Sequence, residues 1–168
     1  MTVCVAGICD TRNSIVVAAD MKLSISGWTS GENLLKWYRI HQDWIALFAG
    51  DDLSRVEPIV SGVWKQLNQK ESCDSIDLSA KFTASYQECR KREAENLFLG
   101  VYGLDMERFL KDGKKLFNPT ELSALHQSIC SVNLQCEFMC AGFDKAGVAH
   151  IFTVSHPGVA NYHDAVGY

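Results

Sequence analysis

The sequence predicts an α+β fold, a layered sandwich of sheets and helices rather than a βαβ doubly wound sheet. Three observations carry that expectation. The first fifty residues hold short runs rich in valine, isoleucine and aromatics, broken by turn formers. The spacing of apolar residues then changes to three and four. Strand-like runs return near the end of the chain. Strands, then helices, then strands again is the order of a layered fold. A length of 168 residues is that of one domain with a core of its own.

Taken in order, Thr2 to Cys9 and Ser14 to Ala19 are two apolar runs separated by the turn formers of "DTRNS", which predicts a β-hairpin. A second strand pair is expected at Leu34 to Ile40 and Trp44 to Gly50, joined through "HQD". After "GDD", Leu53, Val56, Val60, Val63, Trp64 and Leu67 line one face of an amphipathic helix, with Asp51 or Asp52 as its cap. Another helix is expected from Ser75 or Asp77 through "YQECRKREAEN", its mixed charges forming a solvated face. Asp105 can cap a short helix holding Met106, Phe109 and Leu110. Asn118, Pro119 and Glu121 form the opening of another, with Glu121 reaching back to the cap. Strands resume at Leu134 to Asp144, turn at "DKAG", return as "VAHIFTV", turn again at "SHPG" and begin once more at "VANYHDAVGY".

Composition narrows the function classes. The chain is 47% hydrophobic and 21% charged, which is ordinary for a globular domain. A net charge of −4 without a basic stripe argues against nucleic acid as a partner. No run has the length of a membrane span and the start lacks the pattern of a secretory signal, so a cytoplasmic location is expected. Seven cysteines, an odd number with no C-x-x-C pair, favour neither zinc nor a disulfide framework. Most are expected to pack as small hydrophobes. No Walker loop or G-x-G-x-x-G follows a strand, so no nucleotide cofactor is called for. The five histidines show no metal-ligand or triad spacing. The tryptophans Trp28, Trp37, Trp44 and Trp64 are expected mostly as core or sheet-packing aromatics.

Four features remain in sequence order. Thr2 follows the initiator methionine, Asp20 ends the run "IVVAAD", Lys36 stands before "WYRI", and Gly50 closes "ALFAG" ahead of a helix. Together with "TVCVAGIC" and "ALFAGDD", this set resembles the catalytic β-type subunits of proteasomes, members of the N-terminal nucleophile hydrolase superfamily. The spacings from Asp20 to Lys36 and from Lys36 to Gly50 fit that family without gaps. The later "MCAGFDKAGVAHIFTVSHPG" is similar to its strand pair in the second half. The similarity spans most of the chain and is weakest from about Cys73 to Val132.

The resemblance implies a four-layer αββα sandwich over residues 1–168, incomplete at its C-terminus because family members continue past "AVGY". It implies a threonine peptidase or amidase that needs no metal or cofactor, acts on peptide or protein substrates, and assembles as a homo-oligomeric ring, with a regulatory ATPase as a candidate partner. Thr2 is then the nucleophile once Met1 is removed. A threonine hydroxyl needs a base, and a free α-amine, with a pKa of about 7.7–8.0, can serve. Lys36 adds a positive charge that disfavours protonation of that amine and stabilises an alkoxide. Asp20 pairs with Lys36 and aims it. The N–H of Gly50, at the head of a helix, faces the oxyanion. By family position Leu34 and Phe48 line the pocket for the residue before the scissile bond.

Each residue also has a purely structural reading: strand former, strand-closing turn, edge-strand charge and tight turn respectively. An ungapped count back from Asp20 reaches Cys4 instead of Thr2, so Cys4 stands as a second nucleophile candidate on the same strand face. Two other functions stay open: a non-catalytic ring or scaffold subunit, and a non-proteolytic amidohydrolase of the same superfamily.

Overall fold

Short runs of small and β-branched residues make a regular hairpin of β1 (Cys4–Cys9) and β2 (Ser14–Ala19), in register from Cys4 opposite Ala19 to Cys9 opposite Ser14. The computed structural model describes residues 3–21, 24–25, 28–29, 35–50, 53–67 and 71–164. Thr2, Leu34, Asp51 and Asp52 therefore lie outside the described residues. The turn of the hairpin is left-handed: Asp10, Thr11 and Arg12 have φ of 50°, 52° and 71°, without a glycine among them. Two two-residue strands follow, β3 (Ser24–Ile25) and β4 (Trp28–Thr29), paired antiparallel.

The main sheet is antiparallel and five-stranded, in the order β5 (Trp37–His41), β6 (Trp44–Gly50), β7 (Cys136–Phe143), β8 (Ala149–Ser155), β9 (Val159–Tyr162). Its centre joins β6 to β7, which are far apart in sequence and run in full register from Trp44–Gly142 to Gly50–Cys136. Gly142 is required there: a Cβ would sit 2.3 Å from the Asp43 carbonyl oxygen and 2.5 Å from the Trp44 ring.

Strand alternation sorts the sheet into two faces. Phe138 and Phe152 pack on Phe82, at ring distances of 5.4 and 6.3 Å. The intervening Met139, Ile151 and Thr153 share a cavity with Ala6, Gly7 and Ile8 of the hairpin. Helices thus cover one face and the β1–β2 hairpin the other, a layered mixture of α and β as the element order predicts. On the helical side are α1 (Leu53–Gln66) and the start of α2 (Ser75–Ala94). The three-and-four spacing buries Val56, Ile59, Val60 and Val63. Trp64, expected on that face, is part-exposed and donates from its indole to the Arg39 carbonyl at 3.3 Å. Trp44 is fully buried and donates to the Cys73 carbonyl at 2.9 Å.

The chain divides into two compact units, one of residues 1–86 with 135–168 and one of residues 87–134. The second contains the end of α2, a π-helical turn (Glu95–Leu99), a short 3-10 turn (Gly100–Tyr102), α3 (Met106–Leu116) and α4 (Pro119–Ser131). Its core is Leu99, Leu104 and Phe109, with Met106, Phe117 and Leu122 packed around them. Asp105 caps α3 by accepting from the Arg108 N–H, and Asn118 with Glu121 forms a reciprocal capping box on α4.

The cysteines depart from expectation. All seven are free, but only Cys73, Cys136 and Cys140 are buried, while Cys9 and Cys130 are exposed. Cys9 ends β1 at the turn and Cys130 is near the end of α4, where apolar sequence neighbours do not ensure burial. Among the described residues no helix is long and apolar enough to cross a membrane.

Candidate active site

The site is assembled where the hairpin meets the entry to β5. Asp20 directly follows β2, and it extends the hairpin ladder by one rung. Its N–H donates to the Val3 carbonyl at 3.0 Å. The Val3 N–H in turn donates to its carboxylate Oδ1 at 2.9 Å. Lys36 lies just before β5, where its carbonyl accepts from the Phe48 N–H at 3.1 Å. Its ammonium is 3.0 and 2.9 Å from the two oxygens of Asp20. The lysine side chain is 4% exposed and the aspartate 28%. A charge so removed from water requires a partner, and Asp20 supplies one while holding the residue that follows Thr2.

A cavity of about 330 Å³ opens beside this pair, walled by Val17, Met21, Leu35, Trp37, Ile45 and Leu47. Phe48 is not among its walls. It is buried, with its ring 5.5 Å from that of Tyr38, and it borders a second cavity of about 210 Å³. Gly50 ends β6 opposite Cys136, where a Cβ would approach the Cys136 Cβ to 3.0 Å and the Gln135 carbonyl oxygen to 3.1 Å. A side chain at this point would crowd both neighbours, so packing alone favours glycine here.

Cys4 points inward from β1, its thiol 3.6 Å from the Phe48 carbonyl oxygen. Burial, and then the charge of Asp20, push this thiol's pKa up against the opposing pull of Lys36. A thiol protonated and donating to a carbonyl is not an activated nucleophile. No protein-family model matches the chain, and no curated protein matches it.

The structure brings Asp20 and Lys36 together with Val3, and sets Cys4 against the end of β6. Sequence reasoning missed Glu137 and Thr153, which wall the second cavity with Cys4 and Phe48. They arrive on β7 and β8 from the far half of the chain, so no local spacing announces them. Among the described residues no cluster of histidine, cysteine and carboxylates could hold a metal ion. A fixed ammonium beside a strand start can stabilise a developing oxyanion or keep a neighbouring amine neutral.

Proposed function

We propose that this chain is an N-terminal threonine hydrolase of the proteasome type, in which Thr2, freed by removal of Met1, attacks an amide carbonyl. One observation carries the proposal: Asp20, paired with the buried ammonium of Lys36, accepts a hydrogen bond from the backbone N–H of Val3, the residue next to Thr2. Lys36 supplies positive charge to the attacking oxygen and disfavours protonation of the α-amine, so that the amine is neutral and free to take the hydroxyl proton. The amine then passes that proton to the leaving nitrogen, and water releases the acyl group from the threonine ester. Gly50 offers the oxyanion donor, a contribution of about 2.7–4 kcal/mol in comparable sites.

The four-layer αββα arrangement belongs to the same proposal. It is supported by a hairpin lying across a sheet whose far face carries helices, and by an outer hairpin surface of Val3, Val5 and Val16 that remains exposed. Assembly into rings acting on peptide substrates goes with that reading. The raised pKa of Cys4 favours Thr2 over Cys4 as the nucleophile.

Intact mass and covalent labelling test it. Purified protein is expected to lack Met1 and to form a one-to-one adduct with a threonine-directed electrophile, lost in Thr2→Ala and retained in Cys4→Ala. Retained methionine, or equal labelling of Thr2→Ala, rejects the mechanism. An absence of labelling in a ring-forming protein points instead to a scaffold subunit.

A further inference from the structure

His150 lies at the start of β8 with both ring nitrogens engaged. Its Nδ1 is 2.6 Å from Asp164 Oδ2, and its Nε2 is 3.2 Å from Asp144 Oδ2. The imidazole is 16% exposed and each carboxylate 22%. Asp164 follows β9, and its Oδ1 also accepts from the Ile151 N–H at 3.0 Å. Its carbonyl accepts from Arg12, in the left-handed turn between β1 and β2. One histidine thereby joins three places in the chain: the β7–β8 turn, the segment after β9 and, through Asp164, the hairpin turn.

We propose that His150 is a pH-read clamp, fastening the segment after β9 and the β1–β2 turn to the edge of β8 while it is an imidazolium, and loosening them when it loses a proton. The reason is a count of donors. An imidazolium donates from both nitrogens; a neutral imidazole donates from one. After deprotonation one carboxylate faces a lone pair. Asp144 cannot retreat, because its Oδ1 accepts from the Ala146 and Val148 N–H groups at 2.8 Å each. The change falls on the arm that holds Asp164.

Among the described residues, the nearby titratable and charged groups have partners of their own. His163 Nε2 is 2.9 Å from Thr153 Oγ1, Lys145 pairs with Asp74 at 3.6 Å, and Arg12 reaches the Asp164 carbonyl. Burial pulls the His150 pKa down, but the hydrogen bonds and charges of Asp164 and Asp144 outweigh it, and the value stands above the ordinary one. Backbone donation from Val148 leads the effects that hold Asp144 below the usual carboxylate range, His150 adding to it. The signs follow. The histidine's contribution is complete below its ordinary value of about 6.5 and is lost as pH rises through the raised one. That of Asp144 is complete above about 3.9 and is lost as pH falls through its lowered value. The clamp is tightest between those limits.

Nuclear magnetic resonance on the intact chain between pH 5 and 9 tests this. The His150 ring is expected to titrate above the ordinary histidine value. Exchange protection of the Ile151 and Asn13 amides, corrected for intrinsic rate, is expected to fall about tenfold through that midpoint, with the Ala141 amide unchanged. In Asp164→Asn the midpoint is expected to drop and the pH dependence at Ile151 to vanish. The clamp is overturned if wild-type His150 titrates at or below its ordinary value, or if protection stays flat through its titration. Because those two readings need only the wild-type chain, a variant that fails to fold does not protect the proposal.

Discussion

Lys36 and Asp20 form a pair with unequal exposure, and the inequality decides what each substitution does. The lysine is 4% exposed and the aspartate 28%. Removing the carboxylate charge in Asp20→Asn leaves an ammonium out of water opposite a neutral amide. Breaking a fully buried pair costs about 3–5 kcal/mol; partial solvation of this one reduces the expected loss to about 1–3 kcal/mol. Lys36→Met removes the buried charge with a side chain of similar volume. Asp20 then remains part-solvated and still accepts from Val3. The expected loss is under about 1 kcal/mol. Urea midpoints are expected to place Lys36→Met above Asp20→Asn, with labelling at Thr2 abolished in both; the reverse order of midpoints would show that the lysine charge is well solvated. The pairing of Asp20 with Lys36 was implied by the family resemblance; the local sequence showed only that Asp20 closes an apolar run and that Lys36 stands on the next expected strand. The role of Asp20 in holding the Val3 amide was not, and neither was the thiol of Cys4 donating to Phe48, a contact across 44 positions of sequence. Cross-strand contacts of that range leave no mark on local spacing.

Helices and turns differ in how openly the chain announces them. The apolar period exposes α1, and the capping residues Asp105 and Asn118 mark the starts of α3 and α4 to the residue. These signals are local, because caps and faces are set by side chains three or four positions apart. The π-helical turn at Glu95–Leu99 has no such signal; the side chain of Glu95 is taken up by the Met106 N–H at 2.8 Å, a tertiary bond. The hairpin turn is also hidden. "DTRNS" reads as a turn, but its left-handed sense is borne by Asp10, Thr11 and Arg12, and a β-branched residue is the costliest of these. Left-handed geometry costs about 1–2 kcal/mol per residue, and glycine escapes it at some expense in unfolded-chain entropy. Thr11→Gly is therefore expected to stabilise the protein by about 0.5–1 kcal/mol, measured by denaturant unfolding. Destabilisation would mean that the turn stores no strain at Thr11.

At the scale of the whole molecule, the order of strands, helices and strands announced the layered class but not where the chain divides. The sheet draws β5 and β6 from before the helices and β7 to β9 from after them, so its central pairing was invisible locally. The stretch in which the family resemblance is weakest, about Cys73 to Val132, overlaps a unit with its own core, residues 87–134. Tyr86 donates from its hydroxyl to the Cys136 carbonyl at 3.2 Å, which brings the two ends of the larger unit within a tyrosine's length. A flexible linker of about four glycine and serine residues spans about 10–12 Å. Replacing residues 87–134 by such a linker removes the small core of Leu99, Leu104 and Phe109 and leaves Phe82, Phe138 and Phe152 in contact. The shortened chain is expected to unfold in one cooperative transition and to retain the amide shifts of β6, β7 and β8. Labelling at Thr2 is expected to persist, because Asp20, Lys36 and Val3 all belong to the larger unit. Loss of the cooperative transition would show that the larger unit depends on the smaller for stability; loss of labelling alone would assign the smaller unit a part in the site.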